Sequence, residues 1–238
     1  MKTILIYLYS IMLTISSLPK LYKVRKMTSE SYADKAEVIF QTPSHISRKV
    51  IKKTKSTVSV VGIERIPDQP VLFVANHQGL FDILVLLGYL DKPVGFIAKQ
   101  EIKKIPIINS WMMELKCVFL DRSDRRAALK VIDDGINSLK QGQSMVIFPE
   151  GTRGDGPKVE TFKSGSLRLG TRAGVPIVPL AIDGSYDVFE KNNNRFKPAK
   201  ITLTVADPIY PAEYNEMKHN QLAAKLEQTI TEIIASNK

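Results

Sequence analysis

From Gly62 onward the sequence alternates short apolar runs with segments of helical period, and this alternation limits the fold more than any other feature. Residues 56–61, 71–75, 95–98, 117–120, 145–148, 177–182 and 201–205 are strand candidates. Several are rich in Val and Ile and bounded by Gly, Pro or Asp. Between them, residues 82–90, 107–115, 125–141 and 165–173 follow helical spacing. A last segment, 213–236, places Leu222, Leu226, Ile230 and Ile233 on one stripe. Strands alternating with helices predict an α/β domain whose mixed, largely parallel sheet is flanked by helices. Ligand sites in such sheets lie beyond the carboxyl ends of the strands, so the residues just after each apolar run carry the most information.

The 238 residues suffice for one domain with an appendage, and 44% hydrophobic with 24% charged residues excludes wholesale disorder. A single cysteine, Cys117, excludes an internal disulfide framework and a Cys-rich zinc site, and points to a reducing compartment. The net charge of +10 suits nucleic acid, an anionic membrane or phosphorylated ligands. Its distribution narrows the choice, because residues 1–65 carry +8 and the rest only +2.

The basic excess adjoins an uncharged apolar stretch, residues 3–18, preceded by Lys2 and followed by Lys20, Lys23, Arg25 and Lys26. As a helix it spans roughly 24 Å, short of the roughly 30 Å hydrocarbon core. Three readings fit: a membrane anchor with a cytosolic basic collar, a signal peptide, or a buried core helix. The lack of an A-x-A-like cleavage site before the basic residues favours the anchor. Residues 44–57 carry Arg48, Lys49, Lys52, Lys53 and Lys55, with Ile46, Val50 and Ile51 at helical spacing. This is an amphipathic helix that either lies among headgroups or presents a solvated basic face. Nucleic acid is disfavoured, since no aromatic residues interleave with these charges. The expected organisation is therefore an N-terminal membrane-docking segment, 1–60, and an α/β domain, 61–238.

The run VLFVAN leads into His77, and Asp82 opens the next helical segment. A carboxylate bonded to one imidazole nitrogen fixes the tautomer and leaves the other nitrogen as a base. The alternative is that Asp82 only caps the helix and His77 is a turn residue. Glu150-Gly151-Thr152-Arg153 follows the run at 145–148, and Asp121-Arg122 follows the run at 117–120. A strand-end Gly-Thr-Arg offers backbone N–H groups and a guanidinium fork to a phosphate, although an arginine in such a place is commonly a surface ion pair. Prolines 176 and 179 bracket the start of a fourth block, VPIVPL. A phosphate-binding P-loop, a G-x-S-x-G elbow, G-x-G-x-x-G and H-E-x-x-H are all missing. The remaining histidines, His45 and His219, are too scattered for a zinc cluster.

The order NH-x4-D, VFLDR, FPEGTR, VPIVPL resembles the glycerolipid acyltransferase family over residues 62–209. The text around Lys99, Pro106 and Trp111, and Phe162-Lys163-x-Gly165, resembles it as well. One departure is Lys116, which stands where the family's second block usually begins with glycine.

The resemblance implies acyl transfer from acyl-CoA or acyl-carrier protein to the sn-2 hydroxyl of lysophosphatidic acid, giving phosphatidic acid in phospholipid biosynthesis. His77 is then the general base, oriented by Asp82. Arg122 and Arg153 are the candidate phosphate clamp, with Lys99 and Lys163 as further candidates and Glu150, Gly151 and Thr152 completing the binding set. It implies no cofactor beyond the acyl donor, no metal, and a site at the cytoplasmic face of a phospholipid bilayer. Acceptors such as glycerol-3-phosphate, another lysophospholipid or an aminoacyl-lipid stay open, as does a non-catalytic membrane-surface binding protein of the same fold.

Overall fold

A computed structural model describes residues 2–28, 32–120, 125–154, 156 and 158–237. Seven strands form one sheet: β1 Thr57–Val61, β2 Leu72–Ala75, β3 Val94–Lys99, β4 Val118–Leu120, β5 Ser144–Ile147, β6 Ile177–Asp183 and β7 Lys200–Val205. They lie in the order β1-β7-β6-β2-β5-β3-β4. The run from β6 to β4 is parallel throughout, β7 is antiparallel to β6, and β1 is parallel to β7. The mixed, largely parallel sheet expected from the strand–helix alternation is therefore present, with strand boundaries within one residue of those expected.

β2 is the central strand, pairing Leu72 with both Met145 of β5 and Ile177 of β6. Alternate residues along a strand face opposite sides. Val71, Phe73 and Ala75 point into one core, Leu72 and Val74 into the other, and all are fully buried. Such burial contributes roughly 1.5–3 kcal/mol for each large side chain. The first core is covered by α1 Lys2–Ser16, α2 Leu18–Lys26, α3 Ala33–Lys53, α4 Phe81–Tyr89 and α5 Pro106–Glu114. The second is covered by α6 Arg125–Lys140, α7 Arg168–Ala173, α8 Pro211–Tyr214 and α9 His219–Ser236.

Several elements differ from the sequence expectation. The amphipathic segment at 44–57 is the end of a longer helix, α3, which begins at Ala33 and carries Pro43 in its interior. Its Ile39, Phe40 and Ile51 are buried in the same core as β2, so α3 is part of the packed body. The boundary expected at 60/61 falls inside β1. The segment at 213–236 is two helices, since Lys218 is extended and starts α9 afresh. The segment at 165–173 opens as a 3-10 turn, Ser164–Leu167, before α7. The apolar helix does not stop at residue 18. Ser17 breaks it, Pro19 sits in the first turn of α2, and the two helices form a run from Lys2 to Lys26 that is long and apolar enough to cross a membrane.

α1 is tied to the rest of the protein near both ends. Phe196 N–H donates to Thr3 Oγ1 at 3.3 Å, and Trp111 Nε1–H of α5 donates to Ser17 Oγ at 2.8 Å. The Tyr7 ring packs on Phe189 and Phe196. Ile6 and Leu13 face inward, whereas Ile4, Leu5, Leu8, Ile11, Met12 and Ile15 are each more than half exposed.

α7 approaches the sheet so closely that a Cβ on Gly170 would lie 2.8 Å from Leu72 Cδ2 and 3.0 Å from Ile177 Cγ1. Alanine gains about 1 kcal/mol in helix propensity over glycine. Overpacking a filled core costs about 1–3 kcal/mol. Gly170→Ala is therefore expected to unfold at a lower urea concentration than the natural protein. Gly165→Ala, where nothing lies within 4 Å of the added carbon, should shift stability by less than about 0.5 kcal/mol.

Candidate functional site

The parallel strands β6, β2, β5, β3 and β4 all deliver their carboxyl ends to one edge of the sheet, and the candidate site is built there. The chain leaves β2 through Asn76, whose amide exchanges two 2.8 Å hydrogen bonds with the backbone of Ile182 in β6. The exit of the central strand is thereby fastened to its neighbour, and His77 follows from a fixed point.

His77 Nδ1–H donates to Asp82 Oδ2 at 2.7 Å. The same oxygen accepts the N–H groups of Gln78 at 2.7 Å and Gly79 at 2.8 Å, while Asp82 Oδ1 accepts the Ser185 hydroxyl. Asp82 is completely buried. Burying a carboxylate costs several kcal/mol unless it is hydrogen-bonded, and these donors offset that cost. Asp82 lies in the first turn of α4, where the helix N-terminus favours negative charge, and its carboxylate reaches back to the loop before the helix. The His77 side chain stays 18% exposed. Its ring stacks on Phe148 with centroids 4.0 Å apart and planes 18° apart.

The β5 exit folds over this pair. Glu150 Oε1 accepts His77 N–H at 2.7 Å, and Gly154 N–H donates to His77 O at 2.8 Å. Glu150 is buried, and its second oxygen accepts Glu160 N–H at 3.3 Å. Burial pushes its carboxyl up to about 7, against the opposing pull of the two N–H donors and of His77. Gly151 has φ +78°, and a Cβ there would meet the Lys163 ammonium at 2.8 Å. The Lys163 backbone is held by its N–H to Pro149 O at 3.0 Å.

His77, Asp82, Glu150, Gly151 and Lys163 thus come together. Thr152 is exposed beside them. Arg153 Nη1 pairs with Glu190 Oε1 at 3.2 Å, leaving the guanidinium half exposed. Lys99 is exposed at the end of β3, two strands from β2 and so about 10 Å along the edge. Arg122 lies outside the described residues. Lys116 adopts φ +52°, so a lysine takes the left-handed conformation that glycine adopts without strain. No cluster of His, Cys, Asp or Glu suited to a metal ion occurs among the described residues.

Two residues at the site were not singled out from the sequence. Ser185 follows β6 after Gly184, whose φ of +82° turns the chain toward Asp82. Glu190 begins a 3-10 turn a few residues on. Each follows the proline-bracketed strand, so the rule that led to the other strand ends applied here too.

Residues 57–183 match the acyltransferase family model. The chain is 31% identical over 189 residues to a probable 1-acyl-sn-glycerol-3-phosphate acyltransferase of Mycoplasma pneumoniae, covering 75% of this chain and 71% of the relative. It is 34% identical over 157 residues to a 1-acyl-sn-glycerol-3-phosphate acyltransferase of Chlamydomonas reinhardtii. That match covers 65% of this chain and 47% of the algal protein, about half its length. The fold superposes on the crystal structure of the 1-acyl-sn-glycerophosphate (LPA) acyltransferase PlsC of Thermotoga maritima with a TM-score of 0.86 and 29% identity, covering 99% of this chain and 94% of that one.

The raised Glu150 carboxyl has a stability consequence. Between its ordinary value of 4.5 and about 7, the folded protein holds a proton that the unfolded chain releases. Stability therefore falls as pH rises through that window. Glu150→Gln cannot titrate there. The melting temperature of the natural protein minus that of the variant should decrease from about pH 5 to about pH 8. A difference that is flat or increasing across that range contradicts the raised value.

Proposed function

This chain belongs to the acyltransferase family, and we propose that it moves a fatty acyl group from a thioester donor to the sn-2 hydroxyl of lysophosphatidic acid, giving phosphatidic acid for phospholipid synthesis. The observation that carries the chemistry is the 2.7 Å bond from His77 Nδ1 to a fully buried Asp82, which leaves Nε2 outside that bond. Nε2 takes the proton of the acceptor hydroxyl as its oxygen attacks the thioester carbonyl. Asp82 holds the tautomer and stabilises the imidazolium. When the tetrahedral adduct collapses, the carbon–sulfur bond breaks and the thiolate leaves. The imidazolium proton then returns to sulfur, and the base is restored. The substrate hydroxyl is the nucleophile, so no protein nucleophile and no cofactor is required. The donor is acyl-CoA or acyl-carrier protein.

The acceptor phosphate carries about −1.5 to −2 charges at neutral pH. Arg153, with donors left over from its Glu190 pair, and Lys163 beside Gly151 are the first candidates to bind it, with Arg122 and Lys99 as the remaining ones. Glu150 holds the His77 backbone through the N–H it accepts.

The position of α1 supports a membrane role. Its two ends are fastened to the same body, so the helix lies along the protein, in the plane of an interface, with Ile4, Leu8, Ile11 and Ile15 outward. Lys20, Lys23, Arg25 and Lys26 on α2 add attraction to anionic headgroups of the cytoplasmic leaflet, about 1 kcal/mol each. The lipid acceptor and the cytosolic donor then meet at the headgroup level.

Two experiments test this reading. Purified protein with labelled lysophosphatidic acid and acyl-CoA or acyl-carrier protein should yield phosphatidic acid. His77→Ala should lower turnover about 10²–10⁴-fold with little change in melting temperature. Near-full activity in that variant sinks the assignment. For the interface, Leu8→Asp combined with Ile11→Asp should weaken co-sedimentation with anionic vesicles at least about tenfold. Unchanged binding contradicts the role given to α1.

A further inference from the structure

Glu190 occupies an unusual place. It belongs to the 3-10 turn Glu190–Asn192, yet its carboxylate reaches the loop between His77 and Asp82. Oε1 accepts Leu80 N–H at 2.7 Å and pairs with Arg153 Nη1 at 3.2 Å. The group lies directly on Gly79, where a Cβ would sit 2.4 Å from Oε2 and 2.7 Å from Cδ. A side chain at 79 would displace the carboxylate from this position. The side chain is 16% exposed, and Oε2 is buried without a hydrogen-bond partner among the described residues. The carboxylate is thus held by the protein through Oε1. One oxygen serves two elements of the site, the catalytic loop and the arginine after β5.

We propose that Glu190 is a positioning residue for the acceptor. It holds the Arg153 guanidinium against the loop that carries His77 and Asp82, so that the remaining N–H donors present a pre-oriented fork to a phosphate monoester. The inference rests on Arg153 being a phosphate ligand. An arginine on a free side chain loses rotamer freedom when it binds, whereas one already held loses less.

The test is steady-state kinetics in mixed micelles with lysophosphatidic acid as the varied substrate. Glu190→Gln keeps an acceptor for Leu80 N–H and removes the ion pair. Its KM for lysophosphatidic acid should rise about 5–20-fold, with the loss in kcat/KM falling chiefly in KM and the KM for the acyl donor unchanged. Arg153→Ala should raise the same KM at least as much. The double variant should be no worse than Arg153→Ala alone, because Glu190 acts through Arg153. Glu190→Asp, with the charge drawn back by one methylene, should give an intermediate KM and serves if the amide variant does not fold.

Three results overturn the proposal. An unchanged acceptor KM in Arg153→Ala removes the phosphate clamp, and Glu190's role with it. A raised KM in Arg153→Ala alongside a normal one in Glu190→Gln refutes Glu190 while leaving the clamp in place. A fall in kcat and melting temperature at constant KM makes Glu190 a structural residue only.

Discussion

The hydrogen bonding of Asp82 is the interaction on which the rest of the site depends. A fully buried carboxylate is tolerable only when enough donors replace water, and here they come from separate parts of the chain. His77, Gln78 and Gly79 donate from the exit of β2, and Ser185 donates from the exit of β6. Satisfying one charge therefore fixes two neighbouring strand ends relative to α4. The imidazole is held by the same constraint that keeps the loop folded, so the orientation of His77 is a consequence of folding. The β5 loop adds a second tier, since Glu150 and Gly154 grip the His77 backbone on its amide and carbonyl sides.

The charge distribution and the fold have a common geometry. Most of the basic excess lies in the first 65 residues, where α1 and α2 cover one side of the protein. α1 turns an apolar face outward, and α2 beside it carries Lys20, Lys23, Arg25 and Lys26. α2 contributes Leu21 and Val24 to the core that holds Phe73 and Phe81. α1 packs on α2, α3 and α5, so the outward apolar helix and β2 belong to one packed body. Tyr7 of α1 reaches Phe189 and Phe196, which flank residues 190–195, Glu190 among them.

Much of this was legible in the sequence, for physical reasons that also explain the exceptions. Parallel strands buried on both faces read as short Val/Ile runs, so β2, β5 and β6 could be placed within a residue. His77 and Asp82 stood out because a strand end, a short loop and a helix start bring such a spacing together. Ser185 and Glu190 did not: their place after β6 marks a strand end, but nothing local to either identifies a partner more than 100 residues away in the chain. The start of α3 was hidden by Pro43, which ordinarily ends a helix, and by the polar residues on either side of it. The break at Lys218 has no local mark, since no proline or glycine lies between Glu213 and Leu222. At Lys116 the sequence signalled a departure from glycine, and the backbone keeps the left-handed geometry nonetheless.

The most direct test of the account is kcat/KM of Asp82→Asn, measured beside its melting curve. Asparagine can occupy the same volume and still accept N–H bonds, but it cannot fix the imidazole tautomer or stabilise the imidazolium as a carboxylate does. The account predicts a loss of about 10³–10⁴-fold in kcat/KM in a protein that still folds cooperatively. Activity within about tenfold of the natural protein would contradict the claim that buried Asp82 makes His77 the base.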